Sequence, residues 1–278
     1  MATELTTQRI GCLGAGAMGE ALAGGLLAAG VPREQVRAAD PDAARREAVS
    51  RALGIATGDD NAAVVRESDV VVLAVKPALV PRVLADLRAS LGDGLAKPLW
   101  ISIAAGVSIA RIESELPGGA RVVRAMPNTP ALVRAAATAY AANDAATAAD
   151  RALTQALFEC VGLAWEAPDE SLLDAVTGLS GSGPAYVFVF LEALADAGVR
   201  VGLPREAAQR LATQTVLGAA QLARDTGIHP AQLKDRVTSP GGTTVAGLER
   251  LEAAGFRAAL QGAVEAATRR SRELGEGS

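Results

Sequence analysis

The chain has 278 residues, a hydrophobic fraction of 50% and a formal net charge of −4, with a pI near 5.3. That is enough apolar material for two domains, and no basic patch stands out to hold nucleic acid. Cys12 and Cys160 lie far apart without metal spacing, and one histidine, His229, argues against a His-based metal site or a Ser–His–Asp machine.

The first residues, MATELTTQRI, lack a basic segment followed by an apolar one, so no secretory leader is expected. The most apolar run, Ala185 to Leu191, is too short to cross a bilayer. Two cysteines in so long a chain read as buried thiols in a reducing compartment. The expectation is a soluble, cytoplasmic protein whose chemistry leans on a cofactor.

Residues 9–13 form a short apolar strand. Gly14, Gly16 and Gly19 then fit G-x-G-x-x-G, and residues 17–29 carry a helical pattern. The first glycine permits a tight turn, the second lets the backbone approach a pyrophosphate, and the third lets helix pack on strand. The helix start offers free N–H groups to phosphates. The strand–turn–helix setting makes this a dinucleotide site rather than a Gly-rich turn alone. The second strand ends in Asp40, placed to accept hydrogen bonds from ribose hydroxyls and to repel a 2′-phosphate, which tilts the reading toward NAD. Arg45 and Arg46 follow; they either soften that exclusion or form a solvated helix face.

The βα alternation continues. The apolar strand in SDVVVLAV runs into Lys76–Pro77, with a helix to about Arg88. PLWISIAAG gives a strand and residues 108–115 a short helix. ARVVRAMPNTP is a strand entering a two-proline loop, ATAYAA a further strand, 144–158 a helix and GLAWEA the last strand. This predicts an α/β fold with a mostly parallel, doubly wound, Rossmann-like sheet over residues 1–168. Ligands of such sheets bind beyond the strands' carboxyl ends, where Lys76 and the loop Met126 to Pro130 lie. Lys76 fits equally a nicotinamide-facing role and a surface lysine capping a strand.

Residues 169–278 read as all-α. A helix is expected to break at Gly181–Ser182–Gly183 and restart at Pro184. Its residues 185–191 are apolar on every side and require burial on every side, which favours a dimer of interleaved helices. Pro204 opens another helix, His229 reads as a turn residue before a short one, and two more follow SPGGTTVAGL.

Taken together, GAGAMG, AVKP, SIAAGV, RAMPNTPA, GLSGSGPAY and LKDRVTSPGGTTVAGL occur in an order and spacing that resembles pyrroline-5-carboxylate reductases, from near the start to GFRAAL and beyond. The resemblance implies reduction of L-1-pyrroline-5-carboxylate to L-proline with NADPH or NADH, the last step of proline synthesis. It also implies a C-terminal dimerisation domain and homodimers that assemble further, up to a decamer of five dimers, with neither nucleic acid nor membrane as partner. Carried to matching positions, it implies cofactor contacts at Gly14, Gly16, Ala17, Met18, Gly19, Asp40, Ala74, Val75, Lys76, Pro77, Ala104 and Asn128. Substrate contacts fall at Ser239, Gly241, Gly242, Thr243 and Thr244. Thr244, implied to bond the ring nitrogen, and Lys76 are the catalytic candidates. Main-chain N–H groups of Gly241, Gly242 and Thr243 are expected to hold the carboxylate. Many similar chains carry Asn-Arg or Ser-Arg where this one has Asp40–Pro41, so NADH is expected to serve at least as well as NADPH. A related β-hydroxyacid reductase would want a lysine acid in the helical half, where Lys234 is the candidate. A sensor that binds NAD(P) without turnover would leave the SPGGTT stretch unexplained.

Overall fold

The computed structural model describes residues 5–276; Met1 to Glu4, part of the stretch read for a leader, lie outside the described residues. One eight-stranded sheet runs in the order β3-β2-β1-β4-β5-β6-β7-β8. Its strands are β1 (Ile10–Leu13), β2 (Val36–Ala39), β3 (Ala56–Gly58), β4 (Val70–Leu73), β5 (Leu99–Ser102), β6 (Arg121–Met126), β7 (Ala136–Ala142) and β8 (Gly162–Glu166). All neighbours pair in parallel except β6 and β7. Residues 127–135 between those two are too few for a crossover helix, so the chain doubles back.

The helices of this part are α1 (Ala17–Ala28), α2 (Ala43–Leu53), α3 (Asn61–Arg66), α4 (Val80–Leu91), α5 (Ile109–Glu113) and α6 (Ala148–Glu159). They cover both faces of the sheet. Along β4, Val70 and Val72 join a core with Leu22, Leu26, Leu157 and Phe158. Val71 and Leu73 point the other way, to Leu84, Leu87, Trp100 and Ile112. A strand buried on both faces reads as an unbroken apolar run, and each such side chain contributes about 1.5–3 kcal/mol by burial. The doubly wound expectation therefore holds. The sequence reading missed β3 and α3, because β3 is three residues long, lies at the sheet edge and carries no apolar pattern.

One compact unit runs to Ser182 and regains the chain from Ala266 onward; Gly183–Glu265 forms a second. The division falls later than residue 168 because α7 (Leu172–Val176) is held to the sheet unit. Arg124, 8% exposed on β6, meets Glu170 at 2.8 Å and Asp174 at 3.8 Å, and Ser271 Oγ donates to Asp174 at 2.7 Å.

The second unit is helical, as expected: α8 (Gly183–Arg200), α9 (Arg205–Thr226), α10 (Pro230–Arg236), α11 (Thr243–Ala253) and the first part of α12 (Phe256–Glu276). The predicted break at Gly181–Ser182–Gly183 is corrected. The chain passes through a π-turn, Thr177–Gly181, with Ser182 N–H bonded to Thr177 O at 2.8 Å. That wider turn keeps the backbone hydrogen-bonded ahead of Pro184, which has no N–H of its own. The result is a 29-residue helix, Leu172–Arg200, with mean hydropathy 1.2 in its most apolar window. By length and composition it could cross a bilayer, unlike the shorter run 185–191 taken alone. The apolar girdle expected to be buried all round is not buried within one chain: Phe188 is 62% and Val189 66% exposed.

Candidate active site

At the sheet's carboxyl edge, β1 ends in a turn whose geometry explains its glycines. Gly14 has φ +100°, and a Cβ there would lie 2.7 Å from Ala74 O. A Cβ on Gly19 would overlap Gly14 O, so helix and turn touch through backbone alone. Around Gly16 a Cβ would meet nothing within 4 Å, so this face of the turn is open. Gly16 starts α1 without a side-chain cap, whereas Asp42, Asp60, Ser108 and Thr147 cap α2, α3, α5 and α6. The first-turn N–H groups of α1, at Ala17, Met18 and Gly19, therefore keep their hydrogen-bonding capacity and the helix's partial positive charge.

Asp40, half-buried past the end of β2, faces this turn. Its Oδ2 accepts from Ala15 N–H at 2.9 Å and its Oδ1 from Asp42 N–H at 2.9 Å. Each oxygen keeps a further lone pair for a hydroxyl donor. Arg45 and Arg46 are not a free solvated face. Arg45 donates to Ala15 O and to Glu20, and Arg46 donates to Asp40 O at 2.8 Å and Pro41 O at 3.0 Å. Both guanidinium groups thus brace the backbone around Ala15 and Asp40.

At the end of β4, Ala74 and Val75 are half-buried and Lys76 is exposed, opening a 3₁₀ turn at Pro77–Leu79. Pro77 lines a largely apolar cavity of about 480 Å³ with Pro81, Ala105, Val107 and Arg111. Ala104 is 2% exposed, so it can offer backbone but little side chain. Asn128 is buried as well, with both ends of its amide engaged by Ser180 O and Ala137 N–H. Neither thiol is suited to chemistry: burial pushes Cys12 up to about 12 and raises Cys160.

The stretch SPGGTT lies in the second unit. Gly242 N–H donates to Ser239 O at 2.9 Å, closing a turn with Pro240 and Gly241 in the middle. Gly241 has φ +69°, the value a type II turn requires after proline. Gly242 then leads α11, again with no side-chain cap. Its own N–H is spent in the turn, so the open donors of the helix start are those of Thr243, Thr244 and Val245, while the expected Gly241 N–H, in the middle of the turn, makes no main-chain hydrogen bond among the described residues. The Val245 N–H was not among the expected donors, and it is added by the position of the helix start. Ser239 is exposed and Thr244 half-exposed. Just upstream, His229 Nδ1 accepts from Ala231 N–H at 3.2 Å and caps α10, a structural task. Lys234 is paired with Asp235 at 2.8 Å, which leaves no unengaged lysine for β-hydroxyacid chemistry on this helix.

Residues 170–274 match the pyrroline-5-carboxylate reductase dimerisation family, and residues 9–106 match the family described as NADP oxidoreductase, coenzyme F420-dependent. A pyrroline-5-carboxylate reductase of Synechocystis is 50% identical over 269 residues, 96% of this chain and 98% of the relative. That of Methanosarcina acetivorans is 48% identical, over 98% of this chain and all of the relative. Among solved structures, the reductase of Coxiella burnetii superposes with a TM-score of 0.91 at 38% identity, covering 96% of this chain and 98% of that one. The Plasmodium falciparum enzyme with NADP bound gives 0.86 at 33%, covering 98% and 99%.

The chain belongs to the pyrroline-5-carboxylate reductase family. It is an oxidoreductase that reduces L-1-pyrroline-5-carboxylate to L-proline with NAD(P)H, and through its dimerisation domain it is a homo-oligomer. For the reductase's coenzyme the turn after β1 passes a direct test. The open face at Gly16, the uncapped α1 and the lone pairs left on Asp40 match a pyrophosphate next to a ribose. When bound, NAD(P)H supplies the hydride.

Proposed function

We propose that the reductase divides this work between its two units, dinucleotide binding in the sheet unit, which takes in residues 1–168 and continues to Ser182, and substrate binding with dimerisation in the helical remainder. The first-turn N–H groups of α11, with Ser239, Gly241 and Gly242 shaping their entry, hold the substrate carboxylate without a charged side chain. The uncapped start of α11 behind the Pro240–Gly241 turn is the observation that carries this reading. Thr244 Oγ1 serves the ring nitrogen. A C=N bond accepts hydride readily once that nitrogen is protonated, so one oriented hydroxyl is sufficient where a strong acid is absent. Lys76 is the second candidate at the reacting end. A Lys76→Ala variant with full rate would leave it as a strand-end surface lysine.

The α1 amides of Ala17, Met18 and Gly19 hold the pyrophosphate, and the ends of β4 to β6, from Ala74 to Pro77, at Ala104 and in the loop at Asn128, frame the remainder. Asp40 binds the adenosine ribose, and NADH serves at least as well as NADPH. A much lower KM for NADPH would refute that assignment. Thr244→Ala should lower kcat/KM about 10²-fold in an assay of absorbance loss at 340 nm with pyrroline-5-carboxylate. An unchanged rate would remove Thr244 from the mechanism.

A second copy of the chain, rather than lipid or nucleic acid, covers the exposed apolar face of α8, and the enzyme works in the cytoplasm. Glu192, Asp196 and Arg200 along the same helix disfavour a hydrocarbon setting. A solution mass that is an even multiple of 28.2 kDa, five dimers at the upper limit, supports this assembly, and a monomer contradicts it.

A further inference from the structure

Asn128 stands where β6 gives way to its carboxyl-end loop, 8% exposed. Its Nδ2 donates to Ser180 O at 2.9 Å, and its Oδ1 accepts from Ala137 N–H at 3.0 Å. The first bond spans 52 positions of sequence and ends on the π-turn. Ser180 O has a particular need. The donor that an α-helix would bring to it is the N–H of residue 184, and residue 184 is proline. The same loop also packs on the turn: a Cβ at Gly181 would lie 2.7 Å from Met126 Cε.

We infer that Asn128 is a positioning residue for the reduction. Its amide supplies the hydrogen bond that Pro184 withholds from Ser180 O, and so locks the loop 126–130 at the carboxyl end of β6 to the π-turn. The inference rests on the proposed reading in one respect, that this strand end borders the nicotinamide. Asn128 then acts on the reaction by holding the loop that borders the coenzyme, and not by touching the coenzyme.

The chemistry supplies its own control. Pro184→Ala restores an N–H four residues after Ser180, so it can replace the donor lost in Asn128→Ala. The full-length oligomer would be compared as wild type, each single variant and the double variant. Four quantities are read: Tm, NADH affinity by fluorescence titration, kcat and substrate KM. Asn128→Ala should lower Tm by about 4–8 °C, as expected for the loss of both hydrogen bonds of the amide, to Ser180 O and from Ala137 N–H. It should lower kcat about tenfold, with NADH affinity and substrate KM within about threefold. Adding Pro184→Ala should recover half or more of the Tm loss and raise kcat at least threefold above the Asn128→Ala single variant.

Strictly additive effects in Tm and kcat would overturn the inference. So would a tenfold or greater loss of NADH affinity with kcat intact, the mark of direct contact, or a lowered Tm with unchanged kcat, the mark of a purely structural bond. If Asn128→Ala does not fold, Asn128→Asp takes its place, because it keeps the acceptor for Ala137 and lacks the donor. The Tm comparison needs no substrate, so it tests the 128–184 coupling even if the proposed nicotinamide placement fails.

Discussion

Replacing Asp40 by serine tests the coenzyme end of the site. The native carboxylate is held by two main-chain donors, Ala15 N–H and Asp42 N–H, each at 2.9 Å, so its charge is fixed in place. A 2′-phosphate there would carry a charge of about −1.5 to −2. Two unit charges 4 Å apart repel by about 1 kcal/mol in water and about 4 kcal/mol at an effective dielectric of 20. A half-buried carboxylate lies toward the wetter limit, so removing it should favour NADPH over NADH by about 2 kcal/mol, or about 30-fold. The braced Arg45 and Arg46 remain beside the same spot and add to the shift. The assay is steady-state oxidation of NADH and NADPH at 340 nm, read as the ratio of the two kcat/KM values. Serine also leaves Ala15 N–H short of an acceptor, so Tm should fall by about 4 °C. A ratio within twofold of wild type, with Tm lowered as expected, would refute the electrostatic reasoning while leaving the hydrogen bonds intact.

Gly19→Ala drives a methyl group into Gly14 O; a fluorescence titration should show NADH affinity down more than tenfold, with about 1–3 kcal/mol of stability lost to overpacking in urea unfolding. The Arg9 guanidinium, bonded to Asp69 at 3.0 and 2.8 Å, holds that carboxyl below its usual range. The unfolded value is near 3.8, so the pair's contribution is complete above that pH and is lost as pH falls through the lower folded value. Asp69→Asn should therefore cost more Tm at pH 7 than at pH 3 by calorimetry, and an equal cost at both would contradict the assignment. Phe188→Glu places a charge on the exposed apolar face of α8; light scattering should show dissociation toward monomer, and an intact oligomer would mean that another face makes the interface.

Local chemistry made much of this legible in the sequence. The strand before Gly14, the helix that starts at Ala17 and the reach to Asp40 are set by periodicity and turn residues within about thirty positions, so they could be read before the fold was seen. What escaped depends on partners far along the chain. Arg124 looks like any strand arginine until Glu170 and Asp174 come to it. Asn128 reads as a coenzyme contact, and nothing nearby in the sequence announces that its amide also holds Ser180 O. The glycines at 181 and 183 read as a break, whereas the backbone widens into a π-turn and continues. The N–H of Gly242 looked free because nothing in sequence states that Ser239 O will take it.

The return of the chain to the sheet unit after Ala266 has a topological consequence. The coenzyme half is not a contiguous stretch of polypeptide. A fragment stopped at residue 182 loses Ser271, the hydroxyl partner of Asp174, and it loses Leu274, whose Cβ would stand 3.6 Å from a Cβ at Gly106. Excising the nucleotide half intact would call for a circular permutation or a grafted tail, and the ribosome must finish the last helix before that half is complete.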